Sequence, residues 1–154
     1  MCSSDLHALG IARAALEAGR EAIAEKNGWG GVPLREQPRF QAALAEATAL
    51  VESARAYLYD TAEECWASVQ AGTADPAPLR ARVRLAASHA ASASVRAVDL
   101  LYSTLATTSI FTESPLERPF RDIHTAAAHV MIGPLTYEAA GRVELGLDPQ
   151  FPFF

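Results

Sequence analysis

The chain has 154 residues, half of them hydrophobic, and a formal net charge of -5. That length fits one domain with a buried core. One Lys and 12 Arg are spread along an acidic chain, which argues against a nucleic-acid or anionic-membrane surface, and no apolar run approaches the ~18 residues of a membrane span.

The opening MCSSDL lacks the basic and apolar regions of a signal peptide. In one reading frame it matches the translated end of a common short-read sequencing adapter. Residues 1–6 are therefore expected to be a non-native leader on a truncated gene. The folded domain is expected over 7–146 and an extended tail over 147–154. Cys2 and Cys65 are the only cysteines, which suggests reduced thiols and a cytoplasmic location. The preference for Arg and Ala over Lys fits a high-GC bacterial genome.

The first helix is expected over 6–26, with Leu9, Ala12, Leu16 and Ile23 along one stripe. NGWGGVP then breaks it with three glycines and a proline. The second helix is expected over 38–71. Phe40, Leu44, Ala47, Val51, Ala54 and Leu58 alternate spacings of four and three, and Cys65 and Val69 extend the seam. GTADPAP ends it: Gly72 can cap, and Asp75 can start a third helix with Pro76 at its first position. The third helix runs to 106 on a seam of small residues, Val83, Ala86, Ala90, Ala93 and Ala97, which lets neighbours approach closely. The fourth is expected over 115–145, kinked at Gly133-Pro134 and stopped by Gly146. The fold class is all-α, an up-and-down bundle of four long helices.

Several chemistries are excluded. None of His7, His89, His124 and His129 has Glu three residues before it, so di-iron bundle motifs are absent. Zinc spacing, a phosphate loop and a nucleophile elbow are also missing. On a continuous fourth helix, Arg118, Asp122, Thr125 and His129 would fall within about 60° of one another. That stripe is either a solvated polar face, opposite Phe120, Ile123, Ala127 and Val130, or the lining of a site. The three Phe and two Pro of the tail LDPQFPFF suggest that it docks on the bundle or on a partner. His89 reads as a packed or surface histidine, and Trp66, Tyr57 and Tyr59 read as core and interface.

The string SPLERPFRDIHTAAAHVMIGPLTYEAAGRVELG, with ALGIARAALEAG and PRFQAALAEATALVESARAYLYDTAEECW, resembles the C-terminal helical domain of the acyl-CoA dehydrogenase superfamily. The likeness is greatest to the oxygenase components of two-component flavin-dependent monooxygenases. In many dehydrogenases of the superfamily a catalytic Glu follows the Arg-Asp pair by about eight residues. Here Arg121-Asp122 is present, but position 130 is Val and position 129 is His. The missing carboxylate base favours the oxygenase branch and lowers the dehydrogenase alternative.

The resemblance implies a C-terminal fragment, inactive alone, of an enzyme that uses reduced flavin (FMN or FAD) and O2 to hydroxylate a small aromatic substrate. It implies a homotetrameric parent and a separate flavin reductase, and weak flavin binding by the fragment. His129 becomes the candidate catalytic group, since an imidazole can donate a proton near neutral pH. Lys26 and Trp29 stand where the superfamily carries an Arg-x-x-Phe pair at the flavin, and Lys is the poorer planar partner. Thr108 and Ser109 stand in a loop that approaches a flavin, often that of a neighbouring subunit. Arg121 and Asp122 are expected to be structural ion-pairing or capping groups. A non-catalytic oligomerisation bundle remains the alternative from another class.

Overall fold

A computed structural model of the chain describes residues 3–73, 76–105 and 114–152. Five helices follow in order: α1 (Ser3–Glu25), α2 (Pro38–Gln70), α3 (Pro76–Leu105), α4 (Glu117–Ala127) and α5 (Pro134–Glu144). Short 3-10 turns at Trp29–Gly31 and Leu34–Glu36 join α1 to α2, and another at Val130–Ile132 joins α4 to α5. The all-α, up-and-down bundle is as expected. Helix α1 begins at Ser3 and so runs into the segment read as a leader.

The expected seams form the core. Leu9, Ala12, Leu16 and Ile23 of α1 are buried, as are Phe40, Ala47, Val51, Ala54 and Leu58 of α2. Helix α3 packs against each of the other four helices. Ala86, Ala90, Ala93 and Ala97 lie at its contacts, with Val98 and Leu101 filling the far end. A Cβ built on Gly19 of α1 would stand 3.2 Å from Leu101, so that crossing needs glycine or a shift of the leucine. The antiparallel register of α2 and α3 is marked by the Glu64–Arg82 ion pair and by an edge-on contact of the Tyr57 and His89 rings, 6.0 Å apart.

Three expectations are corrected. The fourth helix is broken, not kinked: α4 stops at Ala127 and α5 starts at Pro134. The residue before a proline is pushed out of the helical region, and Gly133 is accordingly extended (φ -85°, ψ -177°). Second, the α2 seam does not continue to the helix end, because Val69 is 55% exposed and Cys65 is half-buried. Third, Trp66 is not core in this chain; it is 65% exposed, and Tyr59 is exposed with Arg55 stacked over its ring.

The tail leaves α5 through Gly146, whose φ of +73° suits glycine. Arg142 Nε donates to the Asp148 carbonyl at 2.7 Å. Residues 148–152 line an open depression together with Ala77 and Arg80 at the start of α3.

Among the described residues, the core hydroxyls Thr61 Oγ1 and Ser88 Oγ have no hydrogen-bond partner, whereas Ser94 donates back to the Ala90 carbonyl. Volume and polarity can therefore be tested separately on α3. Ala90→Leu should lower the stability by about 1–3 kcal/mol through overpacking, while Ser88→Ala should leave it unchanged or raise it; urea denaturation of the variants checks both.

Arg82 holds the Glu64 carboxyl below its ordinary value of 4.5, chiefly through their hydrogen bond. A carboxyl with a depressed folded-state value stabilises the fold above its unfolded value and loses that contribution as pH falls through the folded one. Glu64→Gln should therefore flatten the loss of stability below about pH 4.5, measured as thermal midpoints from pH 7 to pH 3; an unchanged acid limb would contradict it.

Candidate functional site

His129 lies beyond the end of α4, in extended conformation (φ -69°, ψ 128°), and caps the next turn. It does not share a helix with Arg118, Asp122 and Thr125, so the expected single polar stripe is not formed. Arg118 pairs with Asp122 and Arg121 with Glu117, each one turn apart along α4. Arg121 and Asp122 thus have the structural role expected of them.

The His129 ring is exposed, and its Nδ1 accepts the Met131 backbone N–H at 3.3 Å. An accepting Nδ1 carries no proton, so the neutral ring holds its proton on Nε2, directed away from the turn. Two further groups of Met131 and the burial of its neighbour hold this turn. The Met131 carbonyl accepts from Thr136 Oγ1 at 3.2 Å, its sulfur accepts from Arg84 of α3 at 3.5 Å, and the neighbouring Ile132 is buried. Thr136 is itself fully buried. The arrangement presents one N–H donor from a braced turn, with the exposed side chains of Val130 and Leu135 nearby in sequence.

Behind the turn is a groove of about 660 Å³, lined by Val69, Leu79, Val83, Ala87, Met131 and Ile132 among others. His129 does not line it. On α5, burial pushes the Tyr137 hydroxyl up, offset in part by its hydrogen bond to Ser92.

Lys26 stands at the other end of the bundle. It follows α1, is exposed, and its carbonyl accepts from the Leu34 N–H at 3.0 Å. Gly28 N–H donates to the Val32 carbonyl at 2.7 Å, closing a tight loop in which Gly30 and Gly31 have φ of +78° and +79°. Trp29 opens the 3-10 turn of this loop, and its side chain is outside the described residues. Thr108 and Ser109 also lie outside the described residues. Along α3, the Leu101 level next to α1 and the Arg84 level next to Met131 are about 25 Å apart at helical rise. Lys26 and His129 are thus held by different connections, the α1–α2 loop and the turn between α4 and α5. Sequence reasoning missed the Thr136 and Arg84 braces, because their partners are set by the break after α4. Among the described residues no cluster of three His, Cys, Asp or Glu could hold a metal ion, and no helix is long and apolar enough to cross a membrane.

The family model described as acyl-CoA dehydrogenase, C-terminal domain, matches residues 3–134. An indole-3-acetate monooxygenase of Pseudomonas putida is 34% identical over 142 residues, covering 92% of this chain and 36% of that protein. A flavin-dependent monooxygenase, oxygenase subunit HsaA, of Mycobacterium tuberculosis is 29% identical over 120 residues, covering 77% of this chain and 30% of that protein. The crystal structure of 3-HSA hydroxylase from Rhodococcus sp. RHA1 superimposes with a TM-score of 0.83 at 25% identity, over 96% of this chain and 40% of that one. The chain thus spans about a third of the length of the curated relatives it matches.

Removal of the Thr136 brace tests the turn. Thr136→Val should cost about 1–2 kcal/mol, the penalty for depriving a buried carbonyl of its donor. The urea midpoint of the variant measures this, and a midpoint equal to that of the unaltered chain would contradict the brace.

Proposed function

The chain belongs to the acyl-CoA dehydrogenase C-terminal domain family, and on that premise we propose that it is the C-terminal part of a cytoplasmic flavin-dependent monooxygenase that hydroxylates a small aromatic substrate. The observation that carries the reading is His129. Where a dehydrogenase of this family would need a carboxylate base, this chain holds an imidazole at position 129, and the turn orients it with a proton on Nε2. The names of the relatives support the class: an indole-3-acetate monooxygenase and a flavin-dependent oxygenase subunit.

The donor set fits a reduced flavin in part. An exposed N–H on a braced turn suits a heteroatom of the ring system, and the cation Lys26 suits a phosphate. The flavin, when bound, would supply electrons to O2. This chain's residues would bind, orient and donate. His129 Nε2–H would hold a proton at the reacting end of the site, with Nδ1 tied to Met131 so that the ring keeps this tautomer. Lys26 lies in the α1–α2 loop, on a different connection from His129. In our reading it reaches the flavin of a neighbouring copy, as Thr108 and Ser109 do, in a homotetramer.

Exposed Tyr59, Trp66 and Val69 on α2 support burial of that face in an assembly or against the rest of the protein. Reduced flavin would come from a separate reductase, and the 154 residues alone would bind it weakly and turn nothing over. FMN and FAD both fit this reading.

The test uses the protein restored to the length of its relatives. His129→Ala should still bind flavin but lower product formed per reduced flavin consumed by about 10²-fold, the scale of a lost general acid–base group, with peroxide release rising in step. His129→Asn should recover part of the coupling if hydrogen bonding is the role. Unchanged coupling in His129→Ala would return the residue to an ordinary surface group.

A further inference from the structure

We propose that Asp99 of α3 and His124 of α4 are a positioning pair that sets the His129 turn. Helix α4 packs against α1 and α3; of its 11 residues only Ile123 is fully buried, and its two internal ion pairs do not reach another helix. Two side-chain contacts tie it to α3. The Phe120 ring stacks on Tyr102 with centroids 4.0 Å apart and planes 19° apart. His124 Nε2–H donates to Asp99 Oδ1 at 2.9 Å. The two ties are coupled, because Phe120 also meets the His124 ring edge-on at 4.8 Å.

Spacing explains why they form together. Asp99 and Tyr102 are three apart on α3, and Phe120 and His124 are four apart on α4, so each pair shares one helix face. His124 stands in the last full turn of α4, one turn before its end at Ala127. Helix ends fray unless tertiary contacts hold them. Beyond the end, Arg84 of α3 grips Met131. His129 is thus carried on a short span between two anchors on the same helix, Asp99 before it and Arg84 after it. With the first anchor released, the last turn of α4 can open, and the Met131 N–H that selects the His129 tautomer is no longer presented to Nδ1.

The role of His129 in flavin chemistry rests on the reading above; its placement by Asp99 does not, and the test requires no turnover. The 154-residue chain is labelled with nitrogen-15, and two quantities are read. One is the long-range proton–nitrogen correlation of His129, which reports the tautomer. The other is the exchange rate of the Met131 amide. In the unaltered chain Nδ1 should be bare and Nε2 protonated.

Asp99→Ala should move the His129 signals toward the averaged pattern of a free imidazole. It should speed Met131 exchange about fivefold to tenfold, the effect of losing one hydrogen bond on local opening. Asp99→Asn, which keeps an acceptor for His124 Nε2–H, should restore both readings. Glu64→Ala, which breaks a different exposed bridge to α3, should leave both unchanged. The pairing is overturned by an unaltered chain that populates both tautomers, by Asp99→Ala with neither reading moved, or by Glu64→Ala with the same change. A normal coupling ratio in His129→Ala would sink the flavin reading and leave this placement standing.

Discussion

Everything in this fold is referred to one helix that can be approached closely on several sides. Ala86, Ala90, Ala93 and Ala97 bring almost no side-chain volume to the contacts of α3, so four other helices pack on it. The same helix supplies the fixed points of the candidate site: Arg84 grips Met131, Asp99 accepts from His124, Tyr102 carries Phe120, and Ser92 meets Tyr137. Because these groups share one rigid rod, their relative positions are set by helical rise rather than by loop conformation. Helix α4, which also packs against α1, and the turn after it are tied to that rod by these side chains.

The position of His129 follows from a break in regular structure. A helix continuing from α4 into α5 would have satisfied the backbone and left His129 on a polar stripe. Pro134 prevents this by holding Gly133 extended. The freed groups are reused: His129 caps the new turn with its ring, and buried Thr136 pairs with the Met131 carbonyl. The outcome is an exposed ring whose Nδ1 accepts from the turn that it caps. Apolar Val130 and Leu135, beside it in the sequence, are exposed as well.

Much of this architecture was legible in the sequence, and the failures have specific causes. The stripes of α1 and α3 were readable because apolar spacing of three and four survives wherever a helix face is covered. Val69 carried the same spacing, yet it is exposed, because the last turns of α2 and the start of α3 border a groove there instead of a filled contact. The Gly133-Pro134 step was visible, but the alanine run before it has high helix propensity and favoured a kink. The His124–Asp99 bond joins residues 25 positions apart, so it depends on the register of two helices, which periodicity does not report. The candidacy of His129 came from a motif; its tautomer came only from coordinates. Lys26 and His129 could be picked out singly, but the distance between them needed the topology.

In the proposed reading, His129 faces the reacting end of a flavin while Lys26 of the same chain does not. A crystal structure of the protein restored to the length of its relatives, with reduced flavin bound, tests it most directly. The account predicts His129 Nε2 within about 3 Å of a heteroatom of the flavin ring, and Lys26 beside a different flavin, held by another copy. A flavin ring seated away from the His129 turn, or one flavin touched by both residues of a single chain, would contradict it.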